Sequence, residues 1–172
     1  MDAIINEYKR HGVENFYRLH ADDYENPHRD VVEKIVCEAK DKWNIKGSVL
    51  DLCCGSGEVS NVLKDFDVEG LDPFTKKLYE QNTSNNCIQM TFKDIVRFGL
   101  EKSYDNVICS YALHLCEKSM LPMLLYQISQ VSNNLFVITP HKKPDCDGEF
   151  FNEKARLKKE RTTIVWYERR YA

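Results

Sequence analysis

The alternation of hydrophobic and polar positions changes rhythm near residue 47. Ahead of it, apolar residues recur at helical spacing. "DAIINEYKRH" predicts a helix closed by Gly12, and "VENFYRLHADDY" predicts a second. "HRDVVEKIVCEAKDKWN" predicts a third, with Val31, Val32, Ile35, Val36, Ala39 and Trp43 along one face, Asn26 as its cap and Pro27 as its first residue. Beyond Gly47 short apolar runs alternate with amphipathic ones. "SVLDLCC" reads as a strand buried on both faces, "EVSNVLKDF" as a helix, "VEGLDP" as a strand ended by Pro73 and "TKKLYEQN" as a helix. "NCIQMTFKDI" and "YDNVICSYALHL" read as the third and fourth strands, "KSMLPMLLYQISQVS" as a helix and "NLFVITP" as a fifth strand closed by Pro140. In the tail "TTIVWYERR" is β-rich, and "FFNEKARLKK" is expected to pair with it as a hairpin.

Strands alternating with helices imply βαβ units: an α/β, doubly wound, mainly parallel sheet with helices on both faces. Such a sheet binds ligands beyond the carboxyl ends of its strands, at the point where strand order reverses. Reading those ends off the chain gives the candidate site. After strand one stand Asp51, Cys53, Gly55 and Gly57; after strand two, Asp72, Pro73 and Phe74; after strand three, Asp94 and Ile95. Ser110, Tyr111 and His114 follow strand four, and His141 follows strand five.

Composition narrows the class. At 172 residues, 42% hydrophobic and 30% charged, the chain is expected to form one domain around one core. No apolar run approaches the ~20 residues of a membrane span, and the first residues lack a signal peptide's apolar stretch, so a soluble cytoplasmic protein is expected. The net charge of -3 gives no global attraction to nucleic acid. Seven scattered cysteines without a C-x-x-C are expected to be small, reduced, buried side chains; no metal site is expected, and adjacent Cys53 and Cys54 would bridge only with strain.

The strand-end acids suit a nucleoside. Glycines at 55 and 57 let backbone approach a ligand closely. Asp72, 21 residues after Asp51, is placed to accept from both ribose hydroxyls, Asp94 to accept from an adenine amine, and Phe74 and Ile95 to sandwich the ring. A dinucleotide shares a Gly-rich turn and a later acid. However, "CCGSGEVS" lacks the third glycine, and Asp51 would repel a pyrophosphate while favouring a ligand with an amine or sulfonium cation. The P-loop pattern is absent.

In order and spacing, "VLDLCCGSGE", "GLDP", "KDI" and "YDNVICSYALHL" resemble the class I S-adenosylmethionine-dependent methyltransferases over roughly residues 48–140, and the tail fits that family's final antiparallel strand. The resemblance implies a seven-stranded sheet whose last strand is antiparallel, S-adenosylmethionine as cofactor with S-adenosylhomocysteine as product, and cofactor contacts at Asp51, Gly55, Gly57, Asp72 and Asp94. Cys53 departs from the family, which often has its first glycine there. Residues 1–46 are expected to form a lid segment over a core of 47–172, with Tyr17, His20, Tyr24 and His28 as candidate lid residues.

A sulfonium methyl is already activated, so in-line transfer needs mainly positioning and exclusion of water, and a base only where the acceptor must first lose a proton. Candidate catalytic residues are His114 and Tyr111, with His141 as a further polar group. "CSYALHL" stands where amino-group DNA methyltransferases carry their D/N-P-P motif, which argues against a base amine as acceptor. "KKERTTIVWYERRY" is basic with aromatics interleaved, which leaves RNA open, yet Glu153, Glu160 and Glu168 break up the charge around it. A small molecule, a short peptide, or a substrate delivered by a protein partner is the expected acceptor. The competing readings are a non-catalytic cofactor-binding subunit and a dinucleotide oxidoreductase.

Overall fold

The computed structural model describes residues 12–171. The helix expected over residues 2–11 lies outside the described residues. Among the described residues two helices, α1 (Val13–His20) and α2 (Arg29–Lys42), precede strand β1 (Val49–Leu52). Then follow α3 (Glu58–Val62), β2 (Val68–Leu71), α4 (Lys76–Thr83), β3 (Cys87–Ile88), α5 (Phe92–Phe98) and β4 (Asn106–Ser110). A short 3-10 turn (Leu113–Leu115), α6 (Leu121–Val131), β5 (Asn134–Thr139), β6 (Phe151–Lys159) and β7 (Thr162–Arg169) complete the chain.

The seven strands form one sheet in the order β3-β2-β1-β4-β5-β7-β6. β1 to β5 are parallel, and β7 runs antiparallel to both β5 and β6. The expected C-terminal hairpin is therefore present. The period of two in the strands divides the interior into two layers. Val49, Ile108, Phe136, Ile138 and Ile164 face α2 and α3, whose Val32, Ile35, Val36, Ala39, Val59 and Leu63 cover them. Leu50, Leu52, Val107, Cys109, Leu135 and Val137 face the opposite side, where Ile95 of α5 and Leu124, Leu125 and Ile128 of α6 close over them. Each such side chain, fully buried, contributes about 1.5–3 kcal/mol.

Four local expectations differ from the structure. The third strand is only two residues long, because Thr91 and Asp94 form a capping box that starts α5 inside the segment expected to be extended. The fourth strand ends at Ser110, where Tyr111 turns the chain at φ 53°. α2 begins at Arg29: the Asn26 side chain accepts from the His28 N–H at 2.9 Å, so Asn26 caps a turn ahead of the helix rather than the helix itself. Cys37 is exposed on α2, unlike Cys54, Cys87, Cys109 and Cys146, which are buried.

Gly70 in β2 has a packing role. A Cβ there would lie 2.5 Å from the ring of Tyr79 and 2.9 Å from Cys54 Sγ. The Tyr79 ring is fully buried and held by its hydroxyl, so it has no room to retreat. We expect Gly70→Ala to destabilise the fold by about 1–3 kcal/mol through overpacking, read as a lower urea midpoint with unchanged slope.

Candidate functional site

The carboxyl ends of β1, β2, β3 and β4 open into one pocket of about 370 Å³. β1 lies between β2 and β4, so the pocket sits at the switch point, where the chain leaves neighbouring strands in opposite directions. The β1 turn contributes Asp51, Cys53, Cys54, Gly55 and Glu58; the β2 turn contributes Asp72, Pro73, Phe74 and Thr75. Met90, Thr91, Phe92 and Lys93 come from the β3–α5 junction. Ser110, Tyr111, Leu115, Cys116, Glu117 and Met120 come from the segment after β4, and Tyr24 and Asn26 from the stretch between α1 and α2.

Asp51 is 1% exposed. The Ser60 hydroxyl donates to its Oδ2 at 2.6 Å, and Ser60 Oγ lies 2.7 Å from the Tyr79 hydroxyl. Burial outweighs the Ser60 bond, and nearby Glu58 and Asp72 add repulsion, so the carboxyl is pushed up to about 8. The turn that follows is tight. Cys53 sits at φ 59°, Gly55 at 53° and Gly57 at 96°. Cys53 therefore adopts the left-handed conformation that glycine takes most readily, despite its side chain. The adjacent Cys109 thiol, together with burial, raises the Cys53 thiol well above its ordinary range. Cys54 lies 3.7 Å, sulfur to sulfur, from Cys87 and is also raised by burial.

Asp72 closes the second wall. Its Oδ1 accepts from the N–H groups of Phe74 (2.8 Å) and Thr75 (3.0 Å), and its Oδ2 from the Gly55 N–H (3.3 Å). The carboxylate thereby ties the β1 and β2 turns together. Thr75 Oγ1 and Ser110 Oγ are buried in the wall and have no hydrogen-bond partner among the described residues. Tyr24 crosses above Gly55: a Cβ on Gly55 would stand 3.4 Å from the Tyr24 ring.

Of the residues expected from the sequence, Tyr24, Asp51, Cys53, Gly55, Asp72, Pro73, Phe74, Ser110 and Tyr111 line this pocket. Gly57 lies just behind the wall, where a Cβ would meet Thr83 at 2.4 Å. Asp94 and Ile95 are not in the wall. Asp94 Oδ2 is engaged in the α5 cap, where Thr91 N–H and Oγ1 each donate to it at 2.8 Å, and the Thr91 backbone bond lowers the Asp94 carboxyl. Ile95 is fully buried between sheet and helices. Neither lines the pocket, where Met90, Thr91 and Phe92 stand on that side.

The expected polar groups divide likewise. The Tyr111 hydroxyl pairs with Thr162 of β7, and its ring stacks on His28 at 4.5 Å. Burial raises the Tyr111 hydroxyl and lowers His28. His114 and His141 pack edge to face at 4.9 Å, outside the wall. His20 lies on α1 with its ring 4.7 Å from Phe16. The Tyr17 side chain lies outside the described residues. Glu58, Met90, Phe92, Cys116, Glu117 and Met120 were missed, because nothing in their spacing marks which side of a loop will turn inward. Glu58 alone carried a signal, as the first acid of a helix after a Gly-rich turn.

Because folding raises the Asp51 carboxyl from its ordinary 3.8 to about 8, the folded chain holds a proton across that window that the unfolded chain has lost. Stability therefore falls as pH rises through the window and levels off above it, with a slope approaching about 1.4 kcal/mol per pH unit. We expect Asp51→Asn to flatten this part of the profile in urea unfolding from pH 5 to 8; retention of the wild-type slope would assign the titration to another group.

No family model matches this chain. An uncharacterized protein of Schizosaccharomyces pombe is 29% identical over 186 residues, covering 81% of this chain and 75% of the relative. Magnesium protoporphyrin IX methyltransferase of Synechocystis PCC 6803, solved with bound S-adenosylmethionine, superposes with a TM-score of 0.64 at 17% identity, covering 97% of this chain and 96% of that one. A TehB-like S-adenosylmethionine-dependent methyltransferase of Corynebacterium glutamicum gives 0.64 at 12% identity, with 99% and 100% covered. The PH0226 protein of Pyrococcus horikoshii OT3 gives 0.68 at 17% identity, with 95% and 99% covered. With the strand order and the antiparallel last strands described above, the chain has the Rossmann-like fold of the class I S-adenosylmethionine-dependent methyltransferases.

Proposed function

We propose that the chain binds S-adenosylmethionine in the switch-point pocket and transfers its methyl group to an acceptor entering from the β4 side. The observation that carries this reading is the convergence of Asp51, Gly55 and Asp72 on one cavity, with Asp72 bonded to the Gly55 N–H across it. The Synechocystis enzyme, solved with this cofactor, and the Corynebacterium protein, named for it, support the reading. The residues present suit the cofactor. Gly55 leaves open the space a side chain would fill, Thr75 Oγ1 and Ser110 Oγ are polar groups awaiting partners, and the acids favour a cation.

In this reading Asp72 accepts from the ribose hydroxyls with the lone pairs left free by its turn bonds. Phe74, Met90 and Phe92 hold the adenine, and Gly55 admits the rest of the molecule, while Gly57 gives the turn its φ of 96°. The bound cofactor supplies an electrophilic methyl on a sulfonium. An acceptor's lone pair would form the new bond to that carbon as the sulfur–carbon pair returned to sulfur. The chain contributes position and dryness: Leu115, Cys116 and Met120 form an apolar flank, and Tyr24, with His28 stacked on Tyr111, serves as a lid. No proton abstraction is assigned to Tyr111, whose hydroxyl is raised by burial and committed to Thr162.

Calorimetry with purified chain tests the reading: saturable binding of S-adenosylmethionine is expected, and none at millimolar concentration would end it. Asp72→Asn, which can keep the Oδ1 bonds to Phe74 and Thr75 but loses the charge and the acceptor facing the Gly55 N–H, is expected to weaken binding at least about tenfold, the worth of ~1.5 kcal/mol for a charged acceptor. Gly55→Val is expected to abolish binding while leaving a cooperative unfolding transition. Normal affinity in both variants would place the ligand elsewhere.

A further inference from the structure

The pocket-bearing edge of the sheet is divided by charge. Beyond β1 and β2 stand Glu58 and Asp72, with Asp51 protonated near neutral pH, and the neighbouring cleft adds Asp22, Asp23 and Glu25, with Arg29 in its wall and Lys77 3.7 Å from Asp22. Lys93 is the one Lys, Arg or His side chain among the described wall residues of the pocket itself. Beyond β5 the sign reverses. His141, Lys142 and Lys143 follow the strand directly and are exposed, and His141 rests against His114 of the β4 loop at 4.9 Å. The antiparallel hairpin returns to the same edge, since Thr163 pairs with Thr139 and Lys158 with Thr163, which brings exposed Lys158 and Arg161 alongside.

The acids that follow in sequence do not cancel this charge. Asp145 accepts from the Tyr167 hydroxyl at 3.4 Å, and Tyr167 pairs with Leu135 near the opposite end of β5. Cys146 is buried beside it, and the chain then reaches β6 at the far edge, where Phe151 pairs with Arg169. Asp147 and Glu149 lie on that departing stretch. At the near edge Glu38 is taken by Lys159 at 2.7 Å, leaving Glu160 at the hairpin tip and Glu117 at the pocket rim. Among the described residues none of His114, His141, Lys142, Lys143, Lys158 and Arg161 is ion-paired with a carboxylate.

From this polarity we infer that the acceptor is a small molecule bearing a phosphate or carboxylate, seated on the β5 side against His114, His141, Lys142 and Lys143. This rests on the methyl-transfer reading above and names its substrate class. Adjacent strand ends lie ~4.8 Å apart, so an anion beside His141 is within a small molecule's length of the β4 wall. A cationic cofactor over the acids and an anionic acceptor over the bases are then drawn to opposite halves of one edge, and the hairpin cations add to the attraction. The touching His114 and His141 rings, with the two exposed lysines that follow His141 in the chain, suit one anionic group. Stacking platforms for successive bases, which a single-stranded nucleic acid needs, are not added by Lys158 and Arg161.

The test follows the ring signals of His114 and His141 by NMR, assigned with His114→Gln and His141→Gln, as inorganic phosphate is titrated into the chain with and without S-adenosylhomocysteine. Acetate forms a second arm, and chloride at equal ionic strength is the reference. Both rings are expected to shift saturably with phosphate, acetate or both, the stronger arm naming the acceptor's anionic group. The double variant Lys142→Ser/Lys143→Ser is expected to weaken this at least about fivefold while S-adenosylhomocysteine affinity stays within about twofold. Shifts no different from chloride, or untouched by the double variant, overturn the inference. So does a short oligouridylate that binds at least about a hundredfold tighter than phosphate with steep salt dependence, which would assign the surface to RNA. Because the titration is also run on the ligand-free chain, loss of the anion response with cofactor binding intact overturns this inference alone, and absent cofactor binding overturns the methyl-transfer reading.

Discussion

A carboxyl group taken out of water near the end of β1 organises this molecule. Asp51 has no cation beside it in the described structure; its partner is Ser60 of α3, which in turn meets Tyr79 of α4. One hydrogen-bonded chain therefore ties β1 to two helices on the same face. An unpaired buried carboxylate is costly, so the group gives up its charge near neutral pH instead. That leaves a carboxyl poised to ionise when a cation arrives. Tyr79 reaches Ser60 only because Gly70 beneath it has no side chain.

The same strand end must reverse direction at once to feed α3, which accounts for three positive φ values within five residues. Glycine meets that demand at two of them. Cys53 meets it with a thiol that packs inward against Cys109, so the side chain is absorbed by the core layer instead of obstructing the pocket. Asp72 then fastens the turn from the neighbouring strand. Its oxygens serve the architecture and the cavity at once, an economy available to a carboxylate because it has more lone pairs than one turn uses.

On the β4 side Leu115, Cys116 and Met120 give the wall an apolar and sulfur-bearing flank beside Ser110 and Glu117, and the Tyr111 phenol is occupied by Thr162. That flank suits alignment of reactants and exclusion of water. The charge division along the sheet edge arises from topology. Parallel strands deliver their loops to one edge, and the antiparallel hairpin returns its tip to that edge while carrying the intervening acids away.

The sequence by itself determined the alternation of strands and helices, the sheet class, the C-terminal hairpin and the two turns at Asp51–Gly57 and Asp72–Phe74. These signals are local: hydrophobic period, glycine placement and an acid at a strand end are all written within a few residues. Tertiary structure decided the rest. "MTFKDI" suits a strand or a capped helix, and the fit of Ile95 under the sheet selects the helix, which turns Asp94 into a cap and gives its expected place to Met90 and Phe92. Tyr111 reads as an available phenol until Thr162, 51 positions away, is brought against it. Which loop residues face inward, and which charges meet across the rim, depends on contacts between segments far apart in sequence. No local pattern encodes those contacts, because their energy exists only once the chain has closed around them.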